Sequence, residues 1–189
     1  MRKCLVVLTA VLVAMVTQTR VHADDYGLDP THTAVTFKVS HLGLSWTYGR
    51  FKDVTGGFSV NAANPAVTAF SLTIKTESID SDNAQRDQHL KSPDFFNAKQ
   101  FPTIAFKSTA VKPIKDGYQV TGDFTMHGVT KPITFALVGG KTIEFPKGVS
   151  RTGFSTELTL KRTDFGVGKP MDAIGDEVTV AISFEGVKK

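Results

Sequence analysis

Polar and apolar residues alternate with a period of two along most of this chain, the mark of β-strands with one apolar face. Val35, Phe37, Val39 and His41 fall on one side, opposite Thr36, Lys38 and Ser40. Phe70, Leu72 and Ile74 fall on another, opposite Ser71, Thr73 and Lys75. The rhythm returns at Ile104/Phe106/Ser108, Val120/Gly122/Phe124/Met126 and Ile133/Phe135/Leu137. It returns again at Phe154/Thr156/Leu158/Leu160 and Val178/Val180/Ile182/Phe184. Together with residues 51–60, interrupted by a bulge or bend at Gly56-Gly57, this predicts about eight strands. Turn residues separate them at positions 61–65, at Lys115-Asp116-Gly117, at Gly139-Gly140 and at Pro146-Lys147-Gly148. Such short connections favour an antiparallel, up-and-down order. Eight strands of this kind either close into a barrel or stack as two sheets.

One segment breaks the rhythm. Residues 79–98 show no alternation and carry helix signals instead: Asp82 is placed to cap a helix, with Gln85 three residues on. Ser92-Pro93 closes that helix, and Pro93-Asp94-Phe95-Phe96 opens a second turn. The reading is a short helical insert between strands three and four that covers one end of the sheet. Alternation does not say which face is inside, since a membrane-spanning barrel has the same period with its apolar face outward. The closing Lys188-Lys189 and the tight turns favour water on the outside.

The strands are preceded by a different kind of sequence. Arg2 and Lys3 lead into an apolar run over residues 4–16, broken only by Thr9, and Val21-His22-Ala23 offers a small-residue cleavage site. That is a secretory signal peptide over residues 1–23, cut after Ala23, and a periplasmic location is expected. The run is shorter than the roughly 20 residues a membrane span needs. Residues 24–189 then form one domain. Removing the leader also removes Cys4, the single cysteine, so core burial must hold the domain without disulfides. It takes the basic residues from 22 to 19 against 18 acidic ones, with no basic stripe left, which excludes nucleic acid as a partner. All 14 phenylalanines lie in the remainder, enough to fill a core or to line a large apolar cavity.

Candidate chemistry is sparse. Four histidines remain, His32, His41, His89 and His127, none at metal-ligand spacing, and neither a GxSxG elbow nor a phosphate-binding glycine loop occurs. No catalytic residue, metal or cofactor is assigned. The densest polar constellation is Arg86-Asp87-Gln88-His89-Leu90. Arg86 and Asp87 either anchor the insert, or Arg86 and His89 meet a ligand's polar head at the mouth of the barrel. His41 reads as a core or mouth residue, and His127 as an exposed strand end. The alternative in another class is a small hydrolase or isomerase that acts on an apolar substrate through a His–Asp pair.

The motifs, taken in order, resemble the YceI-like family. Tyr26-x-x-Asp29-Pro30-x-His32, His41-Leu42-Gly43 and Gly49-Arg50-Phe51 match its opening. Arg86-Asp87-x-His89-Leu90, Phe95-Phe96 and Phe101-Pro102-x-x-x-Phe106 match its middle. Gly122-Asp123-Phe124-Thr125-x-x-Gly128-Val129-Thr130-Lys131-Pro132, Arg162-x-Asp164-Phe165-Gly166 and Gly175-Asp176-x-Val178 match its end. Ser81, where the family has threonine, and Trp46, in the loop after His-Leu-Gly, are departures. The resemblance implies an all-β, eight-stranded antiparallel, lipocalin-like barrel with an elongated apolar pore. It further implies an exported protein that binds a polyisoprenoid, such as an isoprenoid quinone or a prenyl lipid, and it implies no enzyme activity. Dimers are known in the family, so a homodimer is a candidate assembly.

On that reading the pore is lined by Phe37, Val39, Phe51, Phe58, Phe70 and Leu72 from the first strands. Phe106, Phe124, Phe135, Phe154 and Phe184 line it from the later ones, and a head group sits near His41, Arg86 or His89. Burial from water gains about 0.8 kcal/mol per CH₂, so some tens of carbons would exceed the practical affinity ceiling of about 20 kcal/mol. Water is the wrong reference. Such a lipid rests in a bilayer, and the protein competes with that bilayer through transient membrane contact.

Overall fold

The computed structural model describes residues 23–61 and 63–189. The expected leader therefore lies, apart from Ala23, outside the described residues. Ten strands run antiparallel: β1 (Asp24–His41), β2 (Ser45–Phe51), β3 (Val54–Val60), β4 (Ala69–Lys75), β5 (Ile79–Asp80), β6 (Thr103–Ile114), β7 (Gly117–Met126), β8 (Val129–Glu144), β9 (Ser150–Lys161) and β10 (Ile174–Lys188). They make eight staves, because two pairs of strands share a stave. β2 pairs with the second half of β1, from Val35↔Phe51 to His41↔Ser45, and β3 pairs with the first half, from Asp24↔Val60 to Gly27↔Gly57. β4 and β5 follow them in the same way. Pairing of β10 with β1 closes the sheet into a barrel. The alternation predicted from the sequence thus resolves to a barrel, with the apolar faces inward.

Several local readings are corrected. β1 starts at Asp24, well before Val35, and carries an irregularity between Leu28 and Thr33 that lets it pass from β3 to β2. Gly139-Gly140 is not a turn: both have positive φ, 129° and 92°, and sit in a register shift within the 16-residue β8. The turn between β8 and β9 is the expected Pro146-Lys147-Gly148. The bulge or bend expected at Gly56-Gly57 does not interrupt β3, since both pair with β4 in unbroken register. Gly57 is where the pairing of β3 with β1 ends, and a Cβ there would stand 2.6 Å from Tyr26 O.

The insert is present as helix α1 (Ala84–Lys91), followed by turns through Phe96. Its cap is Asn83 rather than Asp82: Asn83 Oδ1 accepts from the Arg86 amide at 2.9 Å, while Asp82 takes a left-handed φ of 58° and bonds its amide to Asp80. Two apolar clusters fill the barrel at different heights. One surrounds Val35, Ile74, Ile104 and Phe165 beneath α1; the other surrounds Phe58, Val120, Leu137 and Phe154 at the far end. Among the described residues no helix is long and apolar enough to cross a membrane.

A blind apolar pore and its polar mouth

Between the two clusters lies a cavity of about 1130 Å³. Its wall is built from the inward positions of the strands. Phe37, Phe51, Leu72, Phe106, Phe124 and Phe135 line it, as do Val39, Phe58, Phe70 and Phe184, all expected from the alternation. Rings need room in such a wall, and glycines supply it. Gly49 stands opposite Phe37, and Gly122 opposite the Phe106 ring; a Cβ at either position would collide with that ring.

Phe154 is the exception. It belongs to a stack of rings that closes the far end, 5.6 Å from Phe58 and 5.4 Å from Phe70, both edge-on. Tyr26 stacks on Phe58 at 5.0 Å and completes the closure. Alternation gives inward direction but not height, so Phe154 packs against rings and does not line the cavity. One polar atom is trapped beside it: Thr156 Oγ1, on the wall two residues along β9, is buried without a hydrogen-bond partner.

The near end is polar. His41, Arg86, His89 and Asp94 line the mouth, joined by Lys169. Arg86 and Asp87 do anchor the insert, and both do so through one buried residue, Ser81. Arg86 Nε donates to Ser81 Oγ at 2.8 Å and Nη2 to Ser81 O at 2.5 Å. Asp87 Oδ1 accepts from the Ser81 amide at 2.9 Å and hydroxyl at 2.6 Å. His89 is held on the rim by Asp94, at 3.3 Å, with its ring edge-on to Phe95. His127 is half-buried rather than exposed, packed on the Phe101 ring at 4.4 Å. Trp46 lies in β2, not in a loop, with the Lys38 ammonium 5.3 Å from its ring centroid.

Arg162 was missed as a site residue, although it opens the Arg162-x-Asp164-Phe165-Gly166 motif. It is 5 % exposed and lines the pore. Its guanidinium donates to four carbonyls: Gly175 at 3.0 Å, Val167 at 3.0 Å, Lys169 at 2.9 Å and Ile174 at 3.2 Å. The segment after β9 is therefore wound around one cation, which fixes that side of the mouth. Gly168, at φ 69°, permits the winding, since a Cβ there would stand 3.0 Å from Arg162 Nη1 and from the Phe95 ring. Its partners come from residues without periodicity, so no pattern announces them.

A second polar cluster lies outside the cavity, toward the far end. Asp29, His32 and Glu185 place candidate metal-ligand atoms within 4.8 Å of one another. Arg151 already supplies a cation there, 2.6 Å from Asp29 Oδ2 and 3.5 Å from Glu185 Oε2. Bonds from the Thr31 hydroxyl, then from Arg151 and His32, hold the Asp29 carboxyl well below the usual range. The group is an ion network across β1, β9 and β10. Its His–Asp pair and the one at the mouth both have exposed imidazoles.

A YceI-like domain model matches residues 26–186. Protein YceI of Escherichia coli is 42% identical over 171 residues, covering 88% of this chain and 88% of the relative. The solved structure of a Campylobacter jejuni YceI protein superposes with a TM-score of 0.72 at 29% identity, over 79% of this chain and 90% of that one. A polyisoprenoid binding domain from Saccharophagus degradans has the same fold, with a TM-score of 0.64 at 17% identity, over 87% of this chain and 98% of the other.

Proposed function

The chain belongs to the YceI-like domain family, and from that premise we propose that its pore binds a long apolar ligand, a polyisoprenoid such as an isoprenoid quinone or prenyl lipid. The protein stores or carries that ligand in the periplasm. One observation carries the reading: a cavity of about 1130 Å³ walled by phenylalanine and aliphatic side chains, closed by rings at one end and edged with polar groups at the other. Ordinary small-molecule sites run to about 1,000 Å³. Counting roughly 30 Å³ per water-sized unit, this one holds some tens of heavy atoms. A long chain fits that volume, and an amphiphile fits the polarity gradient. The Saccharophagus domain of the same fold, described as polyisoprenoid binding, supports the same class of ligand. The leader supports export.

The catalytic alternative has less to build on. The His89–Asp94 pair at the mouth has both side chains largely exposed, and among the described residues no hydroxyl or thiol nucleophile is bonded to the histidine. The test is mass spectrometry of lipid extracted from gently purified protein. Stoichiometric, chemically unchanged long-chain prenyl lipid is expected; an empty protein that turns over apolar esters would replace this reading with the hydrolytic one.

A further inference from the structure

Leu42, Leu44, Trp46 and Tyr48 are 54, 84, 53 and 64 % exposed, and none of them lines the cavity. Single exposed apolar side chains are ordinary on a protein surface. Four within seven residues, on one hairpin, form a patch of the kind that marks an interaction surface. This patch is continuous with the mouth. The Leu42 amide donates to Ala173 O at 2.9 Å, and Ala173 and the half-exposed Met171 line the pore. The residues are also graded by chemistry: leucines occupy the apex of the β1–β2 hairpin, and Trp46 and Tyr48 follow along β2. The Lys38 ammonium lies over the Trp46 ring, and Lys169 stands at the mouth. Apolar tip, amphipathic rings and then ammonium groups is the order in which a bilayer presents acyl chains, glycerol level and phosphates.

We infer that this hairpin docks the mouth of the pore on a lipid bilayer bearing anionic head groups. The inference rests on the lipid-binding reading of the pore and adds where the ligand crosses: beside the inserted tip, from acyl chains to pore wall, with little passage through water. A second copy of this chain is the rival occupant. Residues 45–49 of β2 pair only with β1 among the described residues, which leaves a strand edge. But a stable homodimer needs about 800 Å² from each partner, and one projecting hairpin is a small part of that. The lysines complement anionic phosphates, and they complement no feature of a second identical hairpin.

Trp46 is the single tryptophan, so its emission reports on this hairpin alone. With phosphatidylethanolamine–phosphatidylglycerol vesicles, the emission should shift to the blue and be quenched by bromines on the upper acyl chain. Combining Leu42→Ser with Leu44→Ser should weaken vesicle binding by at least about tenfold, the scale of one lost leucine burial. Prenyl-lipid transfer between vesicles should slow in step. Affinity for prenyl lipid delivered from cyclodextrin should stay unchanged, because neither leucine touches the pore. Emission indifferent to vesicles overturns the inference. So does a vesicle-free dimer, seen by light scattering, that buries Trp46. A protein that takes up no prenyl lipid from cyclodextrin yet still shifts with vesicles sinks the pore reading and leaves the docking surface standing.

Discussion

At the scale of single residues, the polar groups inside this barrel divide into those with partners and those without, and their substitutions should part accordingly. Thr156 has a buried hydroxyl that bonds to nothing. Replacing it with valine of nearly the same shape removes an unsatisfied group, so Thr156→Val should leave thermal stability unchanged or raise it by up to about 1 kcal/mol. Arg162 is the opposite case. Arg162→Met would strand four carbonyls around the mouth, and chemical denaturation should show a loss on the order of 3 kcal/mol. Asp29 gives a pH signature. Its folded pKa lies below the unfolded one, so the stabilisation it provides is complete above about pH 4 and is lost progressively as pH falls from there through the lowered value. In Arg151→Met, a carboxyl NMR titration should find the Asp29 pKa moved back toward the ordinary range. None of these three roles could be read from the sequence, because each depends on partners distant along the chain or on the lack of them.

Elements were more legible, and where the reading failed the physics is local. The period of two found the barrel staves because one face of each is buried and the other is wet. It lost the first half of β1, where Asp29-Pro30 and the irregularity break the alternation. It read Gly139-Gly140 as a turn because glycine serves tight turns and bulges equally well. The helical insert was found from its lack of alternation, but its cap was misplaced by one residue between two competent side chains, Asp82 and Asn83. Asn83→Ala should therefore cost about 1 kcal/mol, whereas Asp82→Ala should spare the cap bond. Comparing the two variants by thermal melts separates the assignments.

For the whole molecule, the sequence revealed which side chains turn inward but not how far along the barrel each one sits. Height depends on the stagger between strands, which no local pattern encodes. Phe154 and Phe135 show the difference. Both face inward, yet Phe154 is 3 % exposed within the ring stack, and Phe135 borders open space. Phe154→Ala should cost about 3–5 kcal/mol, as for a close-packed core. Phe135→Ala should cost clearly less and shift ligand preference toward bulkier chains. Urea titrations of both, paired with competitive lipid binding, check the contrast. If the two substitutions cost the same, Phe135 is core and the cavity is not a pore.

The ring stack has one more effect. A tube closed at one end and open at the other is filled in single file, and whatever enters first must leave last. If the pore carries lipid as proposed, the end that stays at the mouth is the end an acceptor meets first, and orientation at loading would be carried through to delivery. Chains longer than the tube cannot thread onward; their surplus must remain outside, in the membrane. Length is thus measured from the blind end, like a rod in a sheath.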